Sequence, residues 1–141
     1  MDSVPEEIQS QFNVTKNLAI YTWYSYSLEP VAQLKTYILI EHALKIKFEK
    51  DNWPLPKLIK KAISRGWVKD SGFSHIESDP QDETKYVRDM IEVLPNLRNS
   101  AVHGSNDLHQ NAVGHIQICA DWINQIFSPD HNHNQARKAD A

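Results

Sequence analysis

Apolar residues recur every three or four positions along most of the chain, which is the spacing of amphipathic helices. The longest such run opens at residues 27–30, where Pro30 fits a first helical turn, and it continues to Phe48. Two apolar rows share one wide face of this run: Val31, Leu34 and Ile38, and Tyr37, Ile40, Leu44 and Phe48. We expect this helix to be the central element of the core.

Shorter runs predict further helices in the first half of the chain. Residues 3–12 look like a helix start, with Ser3 as the capping residue, an early proline and two acids in the first turn. The aromatic-rich run over residues 13–26 also fits a helical row. Residues 57–65 predict a short helix with apolar residues on one side and lysines on the other. Gly66 is a natural stop for that helix.

The second half predicts a loop over residues 68–81 and then two more helices. Asp82 can cap the first of these, which Pro95 should kink or restart because proline lacks a backbone donor. Residues 107–110 have the spacing of a capping box, and the last helix follows to Phe127. No run predicts a strand. We therefore expect an all-α, up-and-down bundle of about five or six helices in one domain, residues 1–127, with a disordered polar tail, residues 128–141.

Composition agrees with a water-soluble globule, since 40% of the 141 residues are hydrophobic and the mean hydropathy is -0.55. The single cysteine, Cys119, cannot form an internal disulfide, and no leader-like segment opens the chain, so we expect a cytoplasmic protein. We expect no membrane span, because even the most apolar stretch, residues 31–48, carries several charges.

Positive charge is concentrated in one part of a chain whose net charge is -3. Eight cations lie between residues 45 and 69 and are opposed only by Glu49 and Asp51. A phosphate backbone responds to the local electrostatic potential rather than to the net charge of the protein. This segment is therefore a candidate RNA-binding surface, formed by Lys57, Lys60, Lys61 and Arg65. A solvated helix face is the equally simple alternative. Trp53 or Trp67 could stack a base, although core or loop-anchoring roles are the simpler interpretation.

Several kinds of chemistry find little support in the sequence. His131 and His133 lie in the polar tail, and the spacing of His109 and His115 does not suit two metal ligands on one helix face. His42, on the central helix, is most simply a core or edge histidine with a satisfied hydrogen bond. No Gly-rich phosphate loop or nucleophilic serine turn is present. We therefore predict no metal and no cofactor.

A more informative cluster is formed by Arg98, Asn99 and His103, which lie between Pro95 and Gly104. On a straight helix Asn99 and His103 share a face, whereas Arg98 lies about 140° from His103. Taken by spacing alone, an arginine at a helix end and a histidine beside a glycine cap are commonplace.

This cluster resembles the R-x4-6-H signature of the HEPN superfamily, in which a polar residue, often Asn, follows the arginine. The long upstream helix and the closing amphipathic helix are similar to the HEPN layout, so the resemblance covers roughly residues 13–127. It implies a metal-independent endoribonuclease, often a toxin or defence component with an antitoxin partner, with Arg98, Asn99 and His103 as catalytic residues. It also implies a homodimer with the two motifs face to face. Other HEPN domains have lost catalysis, so a non-catalytic module for dimerisation, partner or nucleotide binding is the alternative.

Overall fold

The fold comes from a computed structural model that describes residues 3–102 and 112–129. Within those ranges the chain forms five α-helices and two short 3₁₀ turns. The helices are α1 (Glu6–Tyr21), α2 (Glu29–Phe48), α3 (Leu55–Ser64), α4 (Lys85–Val102) and α5 (Ala112–Ile126), and the turns are Tyr26–Leu28 and Asp70–Gly72. The only strand-like pairing in the described ranges is a single bridge between Asp79 and Asp82. The prediction of an all-α bundle is confirmed.

The predicted central helix is confirmed, because α2 packs against each of the other four helices. Its buried positions recur at helical spacing and include Ala32, Thr36, Ile40 and Ala43. The predicted row that begins at Val31 is wrong, because Val31 and Ile38 are exposed on the outer side of the helix. The helix ends at Glu49, which adopts a left-handed conformation with φ 57°. The amide of Glu49 bonds Ile46 O and that of Lys50 bonds Lys45 O, which closes the last turn as glycine usually does.

The α3 and α5 helices also follow their apolar stripes. Leu58, Ile59 and Ala62 of α3 are buried, and its start at Leu55 lies two residues before the predicted one. Gly66 ends α3 as predicted: its φ is +72°, and the amides of Gly66 and Trp67 bond back to the helix at 3.0 Å. The core face of α5 consists of fully buried side chains, which are Cys119, Trp122, Ile123 and Ile126.

The predicted beginning of the first helix is wrong. Ser3 makes no capping bond, and Pro5 is the N-cap because its carbonyl accepts the first helical bond, from Gln9 N at 3.0 Å. Residues 6–21 form one helix, which ends before the aromatic side chains that we expected to continue it. Trp23 and Tyr24 lie in the following turn and are 83% and 86% exposed.

The α4 helix differs from its prediction in two ways. Its start at Lys85 is capped by Asp70, a buried residue whose carboxylate accepts the amides of Tyr86 at 2.9 Å and Val87 at 3.1 Å. Asp82, the predicted cap, instead forms an ion pair with Arg88. The helix also continues through Pro95 without a restart, although proline lacks a backbone donor.

Some predicted features lie outside the described residues. They include the capping box, residues 107–110, Gly104, and the polar tail from residue 130. No described helix is long and apolar enough to cross a membrane.

Candidate functional site

The candidate site is built where α4 crosses α2. Arg98, on the last turns of α4, bonds through Nη1 to Glu41 Oε2 in the second half of α2. The side chains of the pair are only 29% and 15% exposed, respectively. The carboxylate therefore fixes the guanidinium at the helix seam. A guanidinium has five N–H donors, so the bond to Glu41 does not exhaust its capacity.

Glu41 joins Arg98 to an open groove between α1 and α2. Its second oxygen, Oε1, lies 3.4 Å from Lys45 Nζ, one turn along α2. The groove has a volume of about 310 Å³, and its walls are formed by two residues of α1 and four of α2: Glu7, Gln11, Ile38, Glu41, His42 and Lys45. Carboxylate, imidazole, amide and ammonium groups thus surround one cavity beside the Arg98 seam.

The predicted catalytic residues are only partly placed together. Arg98 turns toward α2, whereas Asn99, the next residue of α4, is exposed. Successive residues of a helix lie about 100° apart, so these two side chains do not face one partner. His103 lies outside the described residues.

The predicted RNA-binding residues share the outer face of α3. Lys57, Lys60, Lys61 and Arg65 are all exposed, opposite the buried stripe of that helix. Two of them also contact aromatic rings: Lys57 Nζ is 4.3 Å from the Trp53 ring centre, and the Arg65 guanidinium is 5.6 Å from that of Trp67. The face is basic, but part of its charge is held against the protein itself.

Neither tryptophan of this region is free to stack a base. Trp67 is buried and packs against Phe48, with ring centres 4.4 Å apart. Trp53 is half-buried and packs against Phe48 and Lys57. Burial also lowers the pKa of Lys47, whose ammonium lies 5.5 Å from the Trp67 ring centre. These contacts support the loop-anchoring interpretation of both rings.

The described residues hold no group of three or more His, Cys, Asp or Glu side chains that could bind a metal ion. His109, His131 and His133 lie outside those residues. Cys119 is fully buried, and burial raises the pKa of its thiol to about 12. Because the thiolate is the reactive form, this cysteine is a structural residue rather than a nucleophile.

Sequence reasoning missed the partners of the site. Glu41 lies 57 positions from Arg98, and His42 bonds Glu7 across 35 positions at 3.1 Å. The available signal was the presence of adjacent Glu41 and His42 inside the most apolar helix, since a half-buried charge needs a partner. The sequence does not say which partner that is.

Comparison with protein-family models, with curated proteins and with solved structures finds no match for this chain. The likeness to HEPN domains is thus a resemblance of one short motif and of helical order.

Proposed function

We propose that this chain is a metal-independent endoribonuclease of the HEPN type, with Arg98, Asn99 and His103 as its catalytic residues. The observation that carries the proposal is the partly buried Arg98–Glu41 pair, whose Glu41 also lines an open groove between α1 and α2. The carboxylate that holds the guanidinium lines this groove, and the guanidinium keeps further N–H donors that a phosphate would accept.

The chemistry follows from what RNA supplies. The 2′-hydroxyl attacks the adjacent phosphorus and loses its proton to a base, while an acid protonates the departing 5′-oxygen. The products are a 2′,3′-cyclic phosphate and a 5′-hydroxyl. An imidazole with an ordinary pKa of about 6.5 can perform either proton transfer. The guanidinium of Arg98 would stabilise the charge that grows on the phosphoryl oxygens, and Asn99 would orient His103.

Two further parts of the proposal concern partners. The exposed basic face of α3, with Lys60 and Lys61 at its centre, would guide the RNA backbone. A symmetric homodimer would bring a second copy of His103 to the same site, so that base and acid come from different subunits. An antitoxin protein would fit a role in defence or growth arrest.

The proposal is tested with purified protein, single-stranded RNA and EDTA. We expect cleavage by the wild-type chain and a loss of about 10²-fold or more in Arg98→Ala and His103→Ala. Arg98→Lys should also fail, because an ammonium keeps the charge but not the planar fork. Asn96→Ala is the matched control, an exposed asparagine one turn before Asn99 that should cleave normally. Undiminished cleavage by both Arg98→Ala and His103→Ala would exclude the mechanism.

The same ion pair favours one alternative, a non-catalytic HEPN module. If Glu41 neutralises Arg98 permanently, the pair is a structural clamp between α2 and α4. The alternative predicts that Arg98→Ala lowers the free energy of unfolding and that no variant or condition gives RNA cleavage. A thermal shift with nucleotides in the absence of cleavage would support a nucleotide-binding module.

A further inference from the structure

The most exposed large apolar side chains of the described residues lie at one place, the turn between α1 and α2. Trp23 and Tyr24 are 83% and 86% exposed, and we call these two residues the aromatic tip. The next most exposed, Tyr21 at 59%, precedes them at the end of α1. Single exposed apolar residues are ordinary, but a contiguous group marks a surface that contacts something else.

The backbone holds the aromatic tip in place. The amide of Trp23 donates to Ile20 O at 3.2 Å and that of Tyr24 donates to Tyr21 O at 3.0 Å, so the turn continues the hydrogen bonding of α1. Thr22 is buried, and its hydroxyl donates to the carbonyl three residues before it at 2.6 Å. Both rings therefore project from a hydrogen-bonded turn, and a ligand that binds them need not order the chain first.

The exposed charges near the aromatic tip are positive. Residues 8–40 contain only three charged side chains, Lys16, Glu29 and Lys35, and Glu29 is 7% exposed. Both lysines are exposed and lie within about 10 Å of the turn along their helices. Lys16 is two helical turns before Trp23, a spacing that places both on one side of the helix. Neither lysine forms an ion pair with another described residue.

Exposed rings beside unpaired lysines suit single-stranded RNA better than the other partners of an aromatic surface. Bases stack on aromatic side chains while cations contact the phosphates. Anionic membranes are bound by larger clusters, of about four to eight basic residues, and the centre of a protein interface is depleted in lysine. The basic face of α3 supplies charge without a free ring, because Trp53 and Trp67 pack against Phe48.

We infer that Trp23 and Tyr24 form a base-stacking platform for single-stranded RNA, with Lys16 and Lys35 as its phosphate contacts. The choice of RNA as the ligand rests on the proposed ribonuclease function. The platform itself uses none of the proposed catalytic residues, and it adds a binding surface on the α1–α2 side of the bundle to the basic face of α3.

The binding test uses a fluorescein-labelled oligouridine with 2′-O-methyl riboses, which the proposed mechanism cannot cleave. Fluorescence anisotropy at low salt should show binding by the wild-type chain. Trp23→Leu and Tyr24→Leu should each raise Kd about 10-fold, because leucine keeps an apolar surface but has no π face. Both positions are exposed, so these variants should fold normally. Val31→Ala is the control: it shortens an exposed aliphatic side chain of α2 and should leave Kd unchanged.

Tryptophan fluorescence reports the contact with the platform directly. Of the four tryptophans, Trp67 and Trp122 are buried and Trp53 is half-buried, so bound oligouridine should quench chiefly Trp23. Trp23→Phe keeps an aromatic face and should retain most of the affinity, but the quenching should disappear. Quenching that persists in Trp23→Phe would place the oligonucleotide elsewhere and overturn the inference.

The lysines are tested by the salt dependence of binding. Lys16→Gln and Lys35→Gln should each reduce the slope of log Kd against log salt concentration by about 0.7, the value for one phosphate contact on a single strand. An unchanged slope in both variants would refute their assignment as phosphate contacts.

Further outcomes separate the platform from its rivals and from the ribonuclease proposal. Wild-type affinity in both leucine variants, or no binding by the wild-type chain, would overturn the platform. Val31→Ala as damaging as Trp23→Leu would indicate an apolar docking surface for a protein, and a blue shift of Trp23 emission on anionic vesicles without oligouridine binding would indicate a membrane contact; either would overturn it. A chain that binds through the aromatic tip but cleaves no RNA would overturn only the ribonuclease proposal.

Discussion

Replacement of Asp70 should destabilise the protein more than replacement of any exposed acidic residue, because Asp70 caps the helix that carries Arg98. Its carboxylate is 3% exposed and accepts two amide protons of the first turn of α4. In Asp70→Ala those amides lose their acceptor, and Val87 is itself buried. Loss of a capping side chain costs about 1 kcal/mol. An unsatisfied buried donor adds about 1–3 kcal/mol, so we expect a total loss of about 3 kcal/mol.

Two variants calibrate this estimate. Asp70→Asn keeps an acceptor but loses the negative charge at the helix N-terminus, which should cost about 1 kcal/mol. Asp82→Ala removes only the exposed ion pair with Arg88 and should cost less than about 1 kcal/mol. Asp82 is the cap that the sequence predicts, so the pair of alanine variants compares the two assignments directly.

Urea unfolding followed by circular dichroism measures the difference. With an m-value of about 2 kcal/mol per molar, a loss of about 3 kcal/mol lowers the unfolding midpoint of Asp70→Ala by about 1.5 M. The m-value should stay unchanged. A midpoint for Asp70→Ala equal to or above that of Asp82→Ala would refute the assignment of Asp70 as the cap of α4. It would favour Asp82, the cap that the sequence predicts.

Three other predictions concern the backbone and the buried titratable groups. Glu49→Gly should raise the melting temperature by about 2–4 °C, because φ 57° is strained for a side chain; Lys50→Gly, next to it and without a positive φ, should lower it in the same thermal scan. Native Cys119 should not react with a thiol reagent at pH 8 and should react in urea. Because burial raises the pKa of Cys119 from 9.0 to about 12, the unfolded chain loses this proton first, and stability should fall as the pH rises above about 9. In Cys119→Ala the fall in stability should begin only at about pH 10. Burial raises the pKa of Tyr37 and of Tyr86 from 10.0 to about 12, so above pH 10 the unfolded chain loses these protons first. An unchanged onset in urea titrations at several pH values would contradict this.

The helices were predictable where one apolar stripe determines both that a helix forms and where it begins and ends. The α3 and α5 helices follow their predicted stripes, and α2 and α3 lie within a few residues of the predicted ranges, although Val31 and Ile38 of α2 are exposed. The prediction failed where local signals competed with packing. At the start of α1 the carbonyl of Pro5 performs the role given to Ser3. The α4 helix packs against α2 and α3 and continues across Pro95, where the sequence predicts a kink or restart.

The candidate site was predictable only on one of its two sides. The motif on α4 is contiguous in sequence, so Arg98 could be singled out before the fold was known. Its partner Glu41 and the bond between His42 and Glu7 depend on how α1, α2 and α4 pack together. No spacing rule relates those positions. The cap of α4 is a similar case, because Asp70 lies 16 positions before Tyr86.

The most direct measurement of the central claim uses a DNA strand that contains a single ribonucleotide, incubated with the wild-type protein in EDTA. A 2′-hydroxyl mechanism predicts one cut, immediately after the ribose, with a 2′,3′-cyclic phosphate on the upstream fragment detected by mass spectrometry. The Arg98→Ala protein should leave the strand intact. Cuts at deoxynucleotides, a requirement for a metal ion, or an intact strand with the wild-type protein would contradict the account.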